Sequence, residues 1–558
     1  MKQESLNLRP PHQVMRMERM GVAFQSRISF SRILLRRMQR EQWQIERRKF
    51  SLDDHGYGTA VYTAVGPHRA YSLVAFTDHL NDSARTDRVI AEKWDATFVL
   101  YDGIPSSEVI ARLRLNVPRQ EAGRFVESEI VLSRANRSVR LFDYITDQLS
   151  SGVQPDKDKL IDVGYLMRTT AVYGNGKFGV MDRESLLDRQ ELVGPFQAEM
   201  LTVYLIRCFS IDQIEHIASR RCPTTFTPLK KSYKRFLGVG NATGLGMAPF
   251  LVTHPELIHS WVYAKECALA RVRETVVVTS KKLEKFSHLI TTLKQHLTQW
   301  RVEDAKQSSN IVCLQRDLKN LTAFLQSPEF LSQTTLQWDF VYRWSEEKCT
   351  LESQELIVSM LIELYPELVD ELEKKLSVDR RIIIDTSQSI HQLLHNIESI
   401  YDWALTIDFE NRKNQTYFWY VSANKLEPRL GYRFSEEGAD KEMALDIARA
   451  VQKLHKRLLK TDRQCTLMEF LLRYPDHRHT VNRVQTIQTY LYGEIRDNLI
   501  GRNCTPVDLL RYKLAFMGAS KFDPKSSLWT RITLFQGAPL IDELTKMSCD
   551  DYCFPVIN

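Results

Sequence analysis

Glycines are crowded into one part of this chain, where they could open the backbone to a ligand. Nine of the 22 glycines lie in Gly164–Gly246, and none lies in Met247–Leu430. Glycine lets the backbone approach a ligand closely or adopt a positive φ. Two short segments carry most of these glycines, Tyr173–Gly179 and Gly238–Gly246. We therefore expect the ligand site of this protein within residues 165–260.

The first glycine segment combines backbone N–H groups with positive charge. It reads YGNGKFG from Tyr173, with Asn175 and Lys177 between the glycines, and Arg168 stands just before it. Consecutive backbone amides and fixed cations suit a phosphate or a carboxylate group. The pattern is neither a Walker A loop nor a dinucleotide-binding GxGxxG motif. The pattern predicts an anionic substrate bound by Arg168, Tyr173, Asn175 and Lys177, with a solvated glycine turn as the alternative.

The second glycine segment leads into the start of a predicted helix. Asn241 and Thr243 lie inside the segment, and their side chains are able to hydrogen-bond a substrate. His254 and Glu256 follow at the helix N-terminus, which attracts anions. Because histidine titrates near neutral pH, we expect His254 or Glu256 to transfer a proton in catalysis. Helix capping and core hydrogen bonding are the alternative roles.

Two histidines and a glutamate share one face of another predicted helix. His391, His395 and Glu398 stand at i, i+4 and i+7, a spacing that could hold a metal ion with one coordination position free. The glutamate that acts as the general base inside an HExxH motif is absent. Two histidines on a helix more often form structural hydrogen bonds. We therefore predict no metal site and name no cofactor.

A further helix is predicted between the two glycine segments. Its residues from Phe196 to Arg207 are mostly apolar, and Gln197, Glu199 and Arg207 are among its polar members. We expect these three side chains to be surface groups or hydrogen-bonded groups, with a pocket as the alternative.

The hydrophobic pattern predicts a predominantly α-helical fold with a smaller N-terminal α+β part. Strand-like runs at residues 59–64 and 71–76 flank a glycine-proline turn, and residues 97–101 could add a third strand. Residues 256–327 contain neither glycine nor proline, and apolar residues recur there at three- and four-residue steps. This pattern predicts long core helices after residue 255. The expected sheet is a short antiparallel hairpin or small sheet.

These patterns divide the chain into four segments. They are a basic amphipathic N-terminal segment, a small α+β domain, a helical domain with two glycine-rich loops and long helices, and a mixed, mainly helical C-terminal domain, at residues 1–50, 51–155, 156–330 and 331–558. The sequence contains no repeat or low-complexity linker between them, so we expect the domains to share interfaces.

Positive charge is concentrated at the N-terminus. Residues 1–50 hold 12 Lys and Arg against 4 Glu, a charge of +8, which leaves −1 of the total of +7 for the rest of the chain. Ser29 or Ser31 is expected to cap a helix that carries Arg32 and Arg36. The expected role is a docked surface helix. Contact with nucleic acid, an anionic membrane surface or an acidic patch of the same chain is the alternative.

The composition excludes several classes of protein. The longest apolar runs, such as residues 417–421, are far shorter than the about 20 residues that cross a bilayer. Nine scattered cysteines do not form a disulfide framework and fit a reducing cytoplasm. The near-neutral charge after residue 50 and the lack of a nucleic-acid-binding motif disfavour nucleic acid as a partner of the body of the protein. We predict a soluble cytoplasmic protein.

Together these patterns favour a cytosolic enzyme that binds an anionic small molecule at residues 165–260. The ligand would carry a phosphate or a carboxylate, and proton transfer is the chemistry that the residues suggest. The alternative is a non-catalytic helical interaction protein that forms homo-oligomers through its long helices. In that case the basic N-terminus would contact an acidic partner or nucleic acid.

Overall fold

The structure of the chain, a computed structural model, comprises two compact units. The sheet unit consists of Ala23–Thr243, Thr279–Ser332 and Leu514–Asn558, and the helical unit consists of Met1–Val22, Gly244–Val278 and Gln333–Lys513. The residues that the structure describes are 6–20, 24–81, 93–117, 126–173, 188–244, 254–373, 376, 383–411, 414, 447–496, 508–525, 529–545 and 552–557. Each unit is thus assembled from three separate stretches of the chain.

A nine-stranded mixed sheet forms the framework of the sheet unit. Its strands are β1 (Gln44–Leu52), β2 (Gly58–Val65), β3 (Ala70–Thr77), β4 (Ala96–Asp102), β5 (Glu129–Arg137), β6 (Tyr165–Tyr173), β7 (Gly238–Gly244), β8 (Ala519–Pro524) and β9 (Trp529–Leu534). They lie in the order β1-β2-β3-β4-β5-β6-β7-β9-β8. Neighbours from β1 to β6 are antiparallel, as are β8 and β9, whereas β6 and β7 are parallel. A C-terminal hairpin therefore completes a sheet that otherwise follows chain order.

The prediction of a predominantly helical fold with a short antiparallel hairpin or small sheet is wrong, because the sheet has nine strands. The predicted hairpin is β2 and β3, closed by the Gly66 N–H that donates to the Arg69 carbonyl at 2.8 Å, and the possible third strand is β4. These are only three of the nine strands. β1 is charged and largely exposed, as an edge strand can be. All nine residues of β5 are buried, although several of them are polar. Neither strand shows the alternation that identifies a half-buried strand.

Strand β7 stands where the sequence suggests a glycine-rich loop. A side chain at Gly240 would come within 2.9 Å of the Tyr165 ring of β6. A side chain at Gly238 would collide with the Leu534 carbonyl oxygen of β9. These two glycines therefore allow a ring and a neighbouring strand to pack directly on the β7 backbone. Their role is close packing within the sheet.

Helices account for most of the remaining described residues. They are α1 (Pro11–Val14), α2 (Met17–Met20), α3 (Phe30–Arg40), α4 (Ser107–Asn116), α5 (Phe142–Ser150), α6 (Lys157–Val163), α7 (Gln197–Arg221), α8 (Lys231–Phe236), α9 (Pro255–Arg273), α10 (Ser280–Gln299), α11 (Ala305–Leu325), α12 (Pro328–Leu331), α13 (Gln337–Lys348), α14 (Leu351–Glu363), α15 (Pro366–Glu373), α16 (Ile390–Ile400), α17 (Asp402–Leu405), α18 (Ile447–Leu459), α19 (Leu467–Arg473), α20 (Arg478–Thr489) and α21 (Asp508–Met517). Long helices do follow residue 255, as α9, α10 and α11. Within the described ranges, none of the helices has the length and apolar character needed to cross a membrane.

The helix predicted in the basic N-terminal segment is present as α3, but it is not a surface helix. Ser29 is its N-cap residue. Arg32 is fully buried, and its Nη1 donates to the Gln25 carbonyl at 3.2 Å. Arg36, one turn further along, is also buried. Arg32 and Arg36 are therefore part of the interior of the sheet unit, whereas Arg40 at the end of the helix is exposed.

A long buried helix crosses the sheet. α7 packs against strands β2 to β6 and against α3 and α5. Every residue from Gln197 to Ile211 is buried, which is the pattern of a helix enclosed on all sides. Polar side chains in this stretch must therefore find partners inside the protein.

The side chain of Arg207 on α7 holds two backbone segments, one just before β7 and one just after β9. Its guanidinium donates at 2.6–3.2 Å to carbonyls just before β7 and just after β9, those of Lys234, Arg235, Leu237, Ala538 and Pro539. Burial lowers the pKa of Arg207, yet a guanidinium stays protonated under ordinary conditions. The buried charge thus donates to carbonyls outside the strands, of which those of Arg235 and Pro539 also accept from the Gly537 N–H and the Tyr204 hydroxyl.

In the helical unit, buried ion pairs tie the N-terminal residues to two helices. Arg9 donates from Nε and Nη2 to Glu266 of α9 at 2.8 and 2.7 Å, and from Nη1 to Glu355 of α14 at 2.7 Å. Lys265 and Arg19 also contact Glu355. Burial by itself raises the pKa of Glu355, but the charges of Arg9 and Lys265 hold it below its usual value. Both carboxylates are therefore compensated inside the unit.

Replacement of Arg207 by Met should lower the free energy of unfolding by at least about 3 kcal/mol, because several buried carbonyls lose their donor at once. Unfolding in urea, followed by circular dichroism, measures the difference from the wild type. Arg220→Met on the same helix is the control, because Arg220 is exposed. Equal unfolding midpoints for the Arg207 variant and the wild type would contradict the assigned role.

Candidate functional site

The parallel pair β6 and β7 brings the start of the first glycine segment and the end of strand β7 to one edge of the sheet. Thr169 of β6 is in register with Asn241 of β7. Because parallel strands end at the same edge, the chain leaves β6 at Tyr173 and β7 at Gly244 on the same side. Ligands of open α/β sheets bind outside such carboxyl edges, where the direction of the connections switches. The pairing therefore makes this edge a candidate ligand site.

Three residues predicted to bind the ligand lie on these two strands. Asn241 is partly exposed, and its Nδ2 donates to Oγ1 of the buried Thr169 at 2.6 Å. Oγ1 of Thr169 in turn donates to the Gly240 carbonyl at 3.2 Å. Arg168 and Thr243 are each 3% exposed. The structure thus holds Arg168, Asn241 and Thr243 on adjacent strands, with the amide of Asn241 fixed by its neighbour.

The remaining residues of the first glycine segment are not tested by the structure. Tyr173 is the last residue of β6. Asn175 and Lys177 lie outside the described residues. Their role in ligand binding stays a prediction.

The predicted proton-transfer residues begin α9, in the helical unit. His254 is the N-cap residue, and Pro255 and Glu256 follow in the first turn. His254 and Glu256 are half-buried, and both interact with other groups. One turn further on, Nδ1 of His259 accepts from the Tyr492 N–H at 3.1 Å, and burial lowers the pKa of His259 to about 4. His259 is therefore a neutral, structural histidine near neutral pH.

The helical histidine pair is solvent-facing. His391 and His395 are exposed on α16. Glu398, on the same helix, forms a 3.1 Å contact with Nε2 of His455. Across the described part of the chain, no group of three or more His, Cys, Asp or Glu side chains is arranged to hold a metal ion.

Glu199 is a buried carboxyl group in the first turn of α7. It is 3% exposed, and neither carboxyl oxygen has a hydrogen-bond partner among the described residues. Burial raises its pKa to about 8, so the group is mostly protonated near neutral pH. This contradicts the expectation of a surface or hydrogen-bonded group. The sequence feature that could have predicted this burial is a single carboxylate within a helix whose surrounding residues are apolar on every face.

A basic groove, which sequence reasoning missed, lies in the helical unit along α18. It has a volume of about 730 Å³, and its wall includes residues that precede and begin α20. Its cationic side chains are Arg449, Lys453, Lys456, Arg457 and Lys460. The helix itself was expected from its apolar period. The concave wall that turns its charged face into a groove comes from residues 476–480.

Comparison of the chain with protein-family models, with curated proteins and with solved structures finds no match in any of the three. Functional inference therefore rests on the contacts and charges of the molecule itself.

Glu199→Gln should change how stability depends on pH. The folded pKa of about 8 exceeds the reference value of 4.5, so the contribution of Glu199 to stability is complete below about pH 4.5 and is lost progressively as the pH rises from there to about 8. The loss is up to about 1.4 kcal/mol per pH unit. Gln has the shape of the protonated acid but does not ionise, so the variant should not show this loss.

Urea unfolding at about pH 5.5 and about pH 8.5 measures the effect. The variant should gain stability relative to the wild type at the higher pH. Glu284→Gln is the matched control, because Glu284 is an exposed residue of the same unit. A difference between the Glu199 variant and the wild type that is the same at both pH values would rule out the buried, protonated state.

Proposed function

We propose that the chain is an enzyme that binds an anionic small molecule at the carboxyl edge of β6 and β7. The ligand carries a phosphate or a carboxylate group. Arg168 supplies positive charge, and Asn241 and Thr243 supply hydrogen bonds. The observation that carries the proposal is the parallel pairing of β6 with β7, since both strands end at one edge, where the chain leaves β6 at Tyr173 and β7 at Gly244.

The chemistry of the three residues supports an anionic ligand. Arginine is permanently charged, and its planar group binds carboxylate or phosphate through two parallel hydrogen bonds. Asn241 is held by the 2.6 Å bond to Thr169, so its amide needs little further ordering when a ligand binds. Asn241 and Thr243 stand two residues apart on β7 and so share one face of the sheet, and polar groups placed on a rigid element are the usual construction of a small-molecule site.

Proton transfer is the proposed reaction step. The sequence favours His254 or Glu256 for it, and these residues belong to the helical unit. Glu199 belongs to the same unit as Arg168 and Asn241. With a pKa of about 8 it is a neutral acid near neutral pH that can give up a proton. Glu199 therefore joins His254 and Glu256 as a proposed proton donor.

The alternative, a helical interaction protein with a basic N-terminus, is less well supported. Its basic helix would have to present arginines to an acidic partner or nucleic acid. Arg32 and Arg36 of α3 are buried and do not form such a surface. Homo-oligomer formation through the long helices stays a prediction.

A reducing location, the cytoplasm, is part of the proposal. All seven cysteines within the described ranges are free. Free thiols persist where glutathione and thioredoxin keep them reduced.

A screen of phosphate and carboxylate metabolites by thermal shift tests the site. A true ligand at about 100 times its Kd should raise the Tm of the wild type by roughly 2–4 °C. Asn241→Ala should remove most of this rise, because it deletes the partly exposed amide. Asn116→Ala is the matched control, because Asn116 is an exposed residue at the end of α4.

The proposal fails if every stabilising ligand shifts the Asn241 variant as much as the wild type. A Glu199→Gln variant that retains full ligand-induced stabilisation but loses turnover of that ligand would support the proton-donor role. Unchanged turnover in that variant would remove Glu199 from the mechanism.

A further inference from the structure

The basic groove concentrates positive charge on one face of α18. Five cationic side chains and one carboxylate, that of Asp476, line it, which leaves a net charge of five minus one, or +4. The cations stand at positions 449, 453, 456, 457 and 460, which share one face of a helix. At 1.5 Å per residue they cover about 16 Å. The groove is therefore a short and dense cationic track.

The other face of α18 is apolar and buried, so the cations are held facing outward. Ile447, Val451, Leu454 and Leu458 are buried, and the helix packs against α16, α17 and α20. This packing fixes the direction of the charged face.

The lysines of the groove have no ion-pair partner among the described residues, although the carboxylate of Asp476 lines the same groove. Lys453, Lys456 and Lys460 are exposed, and none of them forms an ion pair with a described residue. Lys456 and Lys460 are spaced at i and i+4, as are Lys453 and Arg457, and like charges at this spacing repel each other. A bound polyanion would relieve this repulsion.

Aromatic rings position the two arginines of the groove. The Arg457 guanidinium lies over the Tyr474 ring at 4.6 Å from its centroid, and the Arg449 guanidinium lies over the Phe409 ring at 4.7 Å. Stacking of this kind restricts the orientation of the guanidinium group and does not neutralise its charge. The oriented guanidinium group of Arg457 can bind a phosphate through two hydrogen bonds.

The facing wall adds further groups. His477 stacks on Phe470 at 5.8 Å, and Thr480 contributes a hydroxyl to the lining. Burial and then the charges of Arg457 and Lys453 lower the pKa of His477. The shift reports that the positive potential of the groove reaches across to this wall.

We propose that the basic groove binds a small molecule that carries a chain of linked phosphate groups. The cavity volume of about 730 Å³ falls in the range of about 300–1,000 Å³ for small-molecule sites. The cations are confined to one helix. Proteins that bind single-stranded nucleic acid use a longer basic surface along the strand, with exposed aromatic rings on which the bases stack. Several adjacent negative charges match the net charge of the groove. This site is independent of the proposed function, which concerns the sheet unit.

Calorimetric titration of the full chain with inorganic tripolyphosphate tests the proposal. One equivalent should bind, and the affinity should fall as salt is added. The double variant Lys453→Glu/Arg457→Glu should bind at least about 100-fold more weakly, because it reverses two exposed charges of the track. Lys348→Glu is the control, since Lys348 is an exposed lysine of the same unit. An unchanged Kd in the double variant would overturn the proposal.

A charge-conserving variant distinguishes binding by an oriented guanidinium group from attraction by net charge alone. Arg457→Lys keeps the charge but loses the planar group over Tyr474, so it should weaken tripolyphosphate binding about tenfold. Full affinity in this variant would show that net charge alone attracts the anion and would overturn a positioned site. This variant also serves as the test if the double variant does not fold.

Two further titrations identify the ligand class and the location of the site. A short single-stranded oligonucleotide should bind more weakly than tripolyphosphate. If it binds more tightly, and this binding is lost in the double variant, the groove is a nucleic-acid site and the proposal is overturned. Asn241→Ala should leave tripolyphosphate binding unchanged. Loss of binding in that variant would place the phosphate at the sheet edge and refute the groove.

Discussion

The sheet unit depends on the buried guanidinium of Arg207. Carbonyls just before β7 and just after β9 lie outside the strand ladder, and each would cost about 1–3 kcal/mol if it were buried without a donor. One side chain of α7 donates to all of them. One buried charge thus links the backbone that leads into β7 to the backbone that follows β9. The pairing of β7 with β6 sets Asn241 next to Thr169.

Three buried ionisable groups in this protein are stabilised in three different ways. Arg207 keeps its charge and is surrounded by neutral carbonyl dipoles. Arg9 keeps its charge against the carboxylates of Glu266 and Glu355. Glu199 has no such partner in the described residues, and it is neutralised by a proton. Burial is equally complete in each case, so the available partners decide whether a group is a structural cation, an ion pair or a weak acid.

The two proposed anion sites differ in how they would select a ligand. At the sheet edge, charge comes from the buried Arg168, and selection would depend on the geometry of a few fixed hydrogen bonds. In the basic groove, exposed lysines provide long-range attraction that salt screens, and oriented guanidinium groups provide the local fit. The first arrangement favours a small ligand with one anionic group. The second favours a dense row of charges.

The sequence by itself determined the local features. The hairpin of β2 and β3 and the long helices after residue 255 follow from turn composition and apolar period, which act over a few residues. Only the tertiary structure decided the nine-stranded sheet, because β8 and β9 join it from the far end of the chain. The same holds for Glu199 and the groove on α18: burial, pKa and concavity depend on segments that meet only after folding, and no local pattern encodes them.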